Sequence, residues 1–306
     1  MRISLGQQKE GTLFWINRKS EDISRLTAAI ASGKKLAVPS DSPSAWSQAM
    51  GYKQSLREYE SILGNIDFAT GWNQSTDTEL NSLGDILSEA RQAAISAIGT
   101  EGIDSRDQLG EKVDAILKRA LKAANAQYGD QYIFSGTKTD VPPFSLDDDP
   151  SSANYGQVTY NGNLGIVQVR TNKGANGTEA VNLTGADVFS FTSGNSTHNV
   201  LEEIWQLREA VKSGDTAKVQ AKLTTLDDAY KSVSKQGAFT GSRLNALETQ
   251  RSTVELLQTQ IEGWLSNTED TDLAEAITRL QQEKTAFEAA LMVTGKVDGL
   301  HLVNYL

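Results

Sequence analysis

All five prolines of this 306-residue chain fall between positions 39 and 150: Pro39, Pro43, Pro142, Pro143 and Pro150. Proline removes a backbone donor and clashes with the preceding turn, so it breaks helix interiors. Two long stretches are therefore free to be helical, 44 to roughly 128 and roughly 198 to the end. Their apolar residues agree. Ala45, Ala49, Tyr52, Leu56, Tyr59, Leu63 and Ile66 alternate steps of four and three, and Leu80, Leu83, Leu87, Ala90, Ala94 and Ala97 continue in a shifted register. Leu109, Val113, Ile116, Ala120 and Ala123 form a third set. Val219 to Val233, Leu244 to Leu265 and Leu273 to Leu291 repeat the spacing in the second half. Such spacing lays an apolar seam along one side of each helix, as in coiled coils.

Length converts the seams into a shape. A helix from 45 to 98 would be about 80 Å long at roughly 1.5 Å per residue. A compact globule of this chain length is only about 50 Å across. The expectation is a rod, with Gly64, Gly71 and Gly84 bending the helix without ending it.

Residues 139 to 197 differ in texture, with glycine and asparagine turns between short β-favouring runs. Asn161-Gly162 between Gln157–Tyr160 and Ile166–Arg170 predicts a hairpin. The fold class expected is mainly α with a β-rich insert: an elongated antiparallel helical rod formed by both chain ends, with a small central β lobe. Five segments follow: an N-terminal arm 1–42, rod 43–138, β-rich outer lobe 139–197, rod 198–266 and a C-terminal arm 267–306.

Composition excludes several functions. The net charge of −10 disfavours nucleic acid and anionic membrane as principal partners. The absence of cysteine rules out disulfides, thiolate zinc sites and cysteine nucleophiles. No run of 18 apolar residues is present to span a membrane, and residues 1–23 lack the apolar core and cleavage site of a secretory signal.

Motifs that carry chemistry are thin. SGKK at 32–35 resembles the end of a P-loop, but Ala28 occupies the first glycine position and no strand precedes it. The stretch SGKKLAVPSDSPSAW reads better as a helix stop at Gly33, with Lys34 and Lys35 at the carbonyl end, then a restart with Ser42 as N-cap and Pro43 at the first helical position. His198 and His301 are the only histidines, expected to be packed or solvated. Asp147-Asp148-Asp149 lacks the glycine and distal glutamate of an EF-hand and is expected to be an acidic turn. Asn73, Asn176, Asn182 and Asn195 begin sequons by pattern alone. Trp15, Trp46, Trp72, Trp205 and Trp264 are expected to pack. No catalytic residue, cofactor site or metal site emerges, and no enzyme activity is expected.

Four separate blocks carry a family resemblance: SGKKLAVPSDSP, NIDFATGWN at 65–73, GDQYIFSGTKTDVPPF at 129–144 and VNLTGADVF at 181–189. With the C-terminal stretch ending Leu-Val-Asn-Tyr-Leu, they resemble the bacterial flagellin superfamily across nearly the whole chain, and its hook–filament junction branch more than flagellin itself. Ser42 replaces the usual second aspartate of a Pro-Ser-Asp-Asp-Pro motif, and Trp46 stands where a small residue is common.

The resemblance implies a structural adaptor outside the cell. Its terminal helices would pack as a coiled-coil layer around the flagellar axis, between the first hook-associated protein and the flagellin filament. It further implies a ring of copies of the chain, a cytoplasmic export chaperone and type III export without a cleaved signal. The bulk filament subunit, flagellin, is the nearest alternative. A membrane-active exported translocator and an enzyme in the middle lobe are further rivals. Ile16, Ile23, Leu26, Ile30, Leu273, Ile277, Leu280, Phe287 and Leu291 are the expected assembly interface, and Lys34, Lys35 and Asp41 the inter-subunit loop candidates. Residues 1–38 and 273–306 are expected to order on assembly, because isolated helix pairs bury little.

Overall fold

The computed structural model describes residues 5–99, 102–173 and 177–303, the side chains of 5–9 and 296–303 excepted. Asn176, the His301 side chain and residues 304–306 of the Leu-Val-Asn-Tyr-Leu ending lie outside the described residues. The chain divides into two compact units, Met1–Tyr59 with Leu256–Leu306, and Glu60–Glu255.

The first unit holds α1 (Leu5–Ser32), α7 (Leu273–Val303) and the near ends of α2 (Pro43–Ile98) and α6 (Thr216–Glu269). α1 stops at Gly33, whose φ of +71° is the left-handed conformation that a side chain would strain. Ser42 restarts the chain as N-cap of α2: its carbonyl accepts from Trp46 N at 2.8 Å and its Oγ from Ala45 N at 3.4 Å. The reading of this stretch as helix stop and restart therefore holds. Asp272 caps α7, its Oδ1 accepting from the backbone N–H of Ala274 and Glu275 at 2.9 and 3.1 Å.

In the second unit α2 runs unbroken through Gly64, Gly71 and Gly84 to Ile98. The free stretch expected to reach about 128 is instead divided after Ile98, and α3 spans Ile103–Ala124. Gly99 and Gly102 flank the break; glycine weakens a helix there by its conformational entropy. α5 (Val200–Ser213) packs on α3 and ends at the left-handed Gly214. α6 runs antiparallel to α2, as the pairs Arg91–Asp227 and Asp67–Arg251 show. The seam Leu80, Leu83, Leu87, Ala90, Ala94, Ala97 is buried throughout, as are Val113, Ile116, Ala120 and Ala123. Tyr230 departs from its seam and lies against the face of Gly84, half exposed.

Among the described residues the β-rich part consists of four separate two-stranded antiparallel pairs: β1 (Gln127–Tyr128) with β2 (Gln131–Tyr132), β3 (Phe144–Leu146) with β4 (Val158–Tyr160), β5 (Gln168–Arg170) with β6 (Thr178–Ala180), and β7 (Ser190–Ser193) with β8 (Ser196–Asn199). The hairpin expected across Asn161-Gly162 does not form, since β4 and β5 pair with other partners. Gly162 lacks the positive φ that a type I′ turn demands. Asn163 takes over the bend instead, its Oδ1 accepting from Thr137 N at 2.8 Å and Gly165 N at 3.0 Å. A two-residue hairpin does occur at Gly194-Asn195, where Gly194 has φ +63°. The core beneath these strands is aromatic. Phe144 lies 4.7 Å from Phe189 and 5.1 Å from Tyr160 between ring centroids, with the five-residue α4 (Gly185–Phe189) held by a Thr184–Asp187 capping box.

Candidate assembly interface

α1 and α7 pack against each other along one seam each. On α1 the half-buried positions include Ile16, Lys19, Ile23, Leu26 and Ile30, which alternate steps of three and four, with Thr12, Asp22 and Ala29 half-buried at their flanks. On α7 they are Ala276, Leu280, Glu283, Phe287, Ala290 and Thr294, with Ala276 fully buried. Lys19 Nζ meets Glu283 at 2.6 Å inside this seam, and Lys34 bridges Asp270, so the helices run antiparallel.

Six of the nine residues expected to form the interface, Ile16, Ile23, Leu26, Ile30, Leu280 and Phe287, thus lie on the facing seams. Leu273, Ile277 and Leu291 do not: they stand on a second stripe of α7, each nearly half exposed. The signal that separates the two stripes is weak, because Ala276, Glu283 and Thr294 carry too little apolar character to mark a seam.

Outside the pair lies more uncovered apolar surface. Leu13, Phe14 and Trp15 are 47%, 60% and 57% exposed, and Met292 and Val293 are 68% and 58% exposed. With Lys19 level with Glu283, residues 13–15 and 291–293 sit within about one or two turns of the same height, given 3.6 residues per turn. Trp15 therefore does not pack in the core as expected. Neither does Trp264, which is 46% exposed beside Tyr52. Packing against water is unfavourable for either ring, so both faces are short of a neighbour.

The loop between α1 and α2 is tied to the end of α6. Glu269 is 5% exposed, and its carboxylate receives Lys34 Nζ at 2.7 Å and Lys53 Nζ at 2.7 Å. Backbone bonds reinforce the joint: Lys35 N donates to Glu269 O at 2.8 Å and Thr271 N to Gly33 O at 2.9 Å. Burial pushes the Glu269 carboxyl up, but the hydrogen bonds from Lys34 and Lys53 outweigh it and hold the group below its ordinary range. Lys35 Nζ donates to the Asn267 carbonyl at 2.7 Å. Asp41 Oδ2 accepts from the N–H groups of Ala37 and Val38, both at 3.0 Å. All three loop candidates thus have partners within the chain.

The remaining motifs are structural. His198 Nδ1 pairs with Glu203 at 2.8 Å, and the buried Glu203 also receives Lys222 at 2.7 Å and Thr225 Oγ1 at 2.8 Å. Asp148 meets the buried Arg208 at 3.3 Å, and Asp147 closes the acidic turn by accepting from Gly156 N at 2.7 Å through its carbonyl. Sequence reasoning missed Glu203 and Arg208, because nothing in their spacing marks a buried charge. Among the described residues no cluster of three metal-ligating side chains occurs, and no helix is long and apolar enough to cross a membrane.

Comparison with known proteins places these helices among relatives. The model of the bacterial flagellin N-terminal helical region matches residues 8–139, and that of the bacterial flagellin C-terminal helical region matches residues 223–306. The flagellar hook-associated protein 3 of Salmonella typhimurium is 26% identical over 198 residues, 64% of this chain. The chain spans 59% of that relative's length. A solved Vibrio parahaemolyticus structure, described as a flagellar hook-associated protein, superposes with TM-score 0.66 at 21% identity, covering 75% of this chain and all of the other. The flagellar junction protein FlgL of Legionella pneumophila gives 0.57 at 17% identity, covering 74% and 100%. At these identities the two structures establish a shared fold.

Proposed function

The chain belongs to the bacterial flagellin family, and from that membership we propose that it is a non-enzymatic adaptor of the flagellum, joining the hook-associated protein 1 layer to the flagellin filament. The observation that carries this reading is the α1–α7 pair, which covers one seam of each helix and leaves Leu13, Phe14, Trp15, Leu273, Ile277, Leu291, Met292 and Val293 in water. Uncovered apolar stripes on a two-helix arm are satisfied most simply by the same stripes on neighbouring copies, related by one repeated operation. In this reading the chain's segments 1–42 and 267–306 are the assembly arms, and Lys35 and the loop around it face a neighbour. Export precedes assembly, with a cytoplasmic chaperone covering the C-terminal arm, and the finished ring is extracellular.

Similarity to the hook-associated relatives favours the junction over the bulk filament subunit. Deleting the gene tests the choice. A junction protein's loss leaves hooks without filaments and releases unpolymerised flagellin into the medium. If the deletion strain instead contains no flagellin in cells or medium, the chain is the filament subunit and the adaptor reading is refuted.

A further inference from the structure

Asn161-Gly162 is not used as the hairpin turn its sequence suggests, and its surroundings give it a different chemistry. Residues 161–167 lie in neither helix nor strand. Asn161 N donates to Pro143 O at 2.8 Å and Asn163 N to Ser135 O at 3.0 Å. Between these two anchors the Gly162 N–H makes no hydrogen bond among the described residues. Asn161 is exposed, and among the described residues its side-chain amide bonds only to Ser145 Oγ, at 3.2 Å from Nδ2.

Packing also fixes glycine at 162. A Cβ there would stand 2.5 Å from Tyr160 Oη, which is itself held by the carbonyls of Phe134 and Asn163, both at 2.9 Å. The fold thus requires at 162 a residue whose backbone nitrogen has no side chain beside it. An unbonded, unshielded nitrogen next in sequence to an exposed carboxamide is placed to attack it. The neighbouring asparagines lack one condition or another. Asn182 is buried, and the nitrogen after Asn172 is bonded to that residue's own Oδ1 at 2.7 Å. Asn163, Asn195 and Asn199 precede Leu164, Ser196 and Val200, whose side chains shield the following nitrogen.

We propose that Asn161 is a site of spontaneous covalent modification, in which the Gly162 backbone nitrogen displaces the side-chain amide and water converts the product to aspartate and isoaspartate. Asparagine is among the thermolabile residues. The Gly162 nitrogen gives its proton to water or hydroxide and bonds to Asn161 Cγ. The Cγ–Nδ2 bond breaks, and Nδ2 takes up a proton and leaves as ammonia. The remaining five-membered imide is opened by water. Attack at Cγ restores the ordinary chain with an aspartate side chain; attack at the backbone carbonyl carbon leaves the chain running through Cγ, one carbon longer. No oxidant, reductant or reactant other than water takes part. The extra carbon falls between the Pro143 anchor and Asn163, whose Oδ1 holds Thr137 N at 2.8 Å and Gly165 N at 3.0 Å. The longer chain therefore loosens that junction.

To test this, full-length protein is held at neutral and at mildly alkaline pH, beside protein kept unfolded in urea, and sampled over time. Trypsin cuts after Lys138, Arg170 and Lys173, which separates residue 161 from the second Asn-Gly pair at 176, and fragment masses read each asparagine by itself. The expected result is loss of the amide at 161 in the folded protein, faster at the higher pH, as two chromatographically distinct isomers of one mass. Asn163, in the same peptide, should keep its amide. Asn161→Gln, in which attack would need a larger ring, should keep its mass over the same period. In aged protein the Thr137 and Gly165 amides should lose protection from deuterium exchange, a loss absent from aged Asn161→Gln. A folded chain that keeps its amide at 161, whether or not the unfolded chain loses it, refutes the site. Equal conversion at Asn163 refutes it too, because the free Gly162 nitrogen would then not select the position. Unchanged exchange in converted protein refutes the loosening of the junction.

Discussion

Replacing Glu269 by glutamine tests whether the joint of the first unit is held by charge. The carboxylate is buried, yet its two lysine partners are 47% and 32% exposed, so both cations can rehydrate when the anion is removed. Breaking a fully buried pair costs about 3–5 kcal/mol because an uncompensated charge stays inside, whereas exposed pairs contribute about 0–1 kcal/mol. Glu269→Gln keeps the shape and leaves no stranded charge, so the loss should fall between these limits, about 2 kcal/mol at pH 7. Denaturant unfolding followed by the fluorescence of Trp46 and Trp264, both in this unit, reads it directly. The pH dependence gives the sign. A carboxyl held below its ordinary value of 4.5 in the folded state stabilises the fold above that value. That contribution is lost as pH falls through the folded-state pKa. The deficit of Glu269→Gln should therefore be full at pH 7 and shrink toward zero in acid, where wild type has lost the same contribution. A deficit that stays constant from pH 7 to well below pH 4.5, or no deficit at neutral pH, refutes the charge argument.

Four further outcomes are expected. Leu280→Asp breaks the α1–α7 seam and abolishes assembly while export continues; filament growth supported by this variant would contradict the seam assignment. Ile277→Asp, on the uncovered stripe, should change monomer stability by no more than about 0.5 kcal/mol yet prevent assembly, separating the two stripes by calorimetry and sedimentation. Glu203→Ala strands Lys222 and removes the partner of His198, with a cost of about 3 kcal/mol in chemical unfolding of the second unit. In circular dichroism, deletion of residues 1–38 and 273–306 should remove less helix from the free monomer than the roughly 70 residues would supply if fully helical there; loss of the full signal would show that the arms are ordered before assembly.

The sequence by itself determined the helices. Proline placement and three–four spacing depend only on backbone geometry and on which side of a helix is apolar, so α2 begins within two residues of position 45, although the break after Ile98 was not marked by proline. The stop at Gly33 and the restart at Ser42 and Pro43 were legible for the same reason: caps act locally. Pairing was not local. The sequence favoured joining β4 to β5 across Asn161-Gly162, but Phe144 packing on Tyr160 and Phe189 joined β4 to β3, across eleven intervening residues. The seam of α7 was likewise undecided until α1 lay against it. Large apolar residues occupy two stripes, and the covered one contains Ala276, Glu283 and Thr294, where small or polar side chains permit close approach and an ion pair with Lys19. What remained uncovered, Leu273, Ile277 and Leu291 together with the aromatic turn at 13–15, is defined only by what the fold leaves out. Burial is a property of neighbours, and neighbours distant in sequence are fixed by tertiary packing alone.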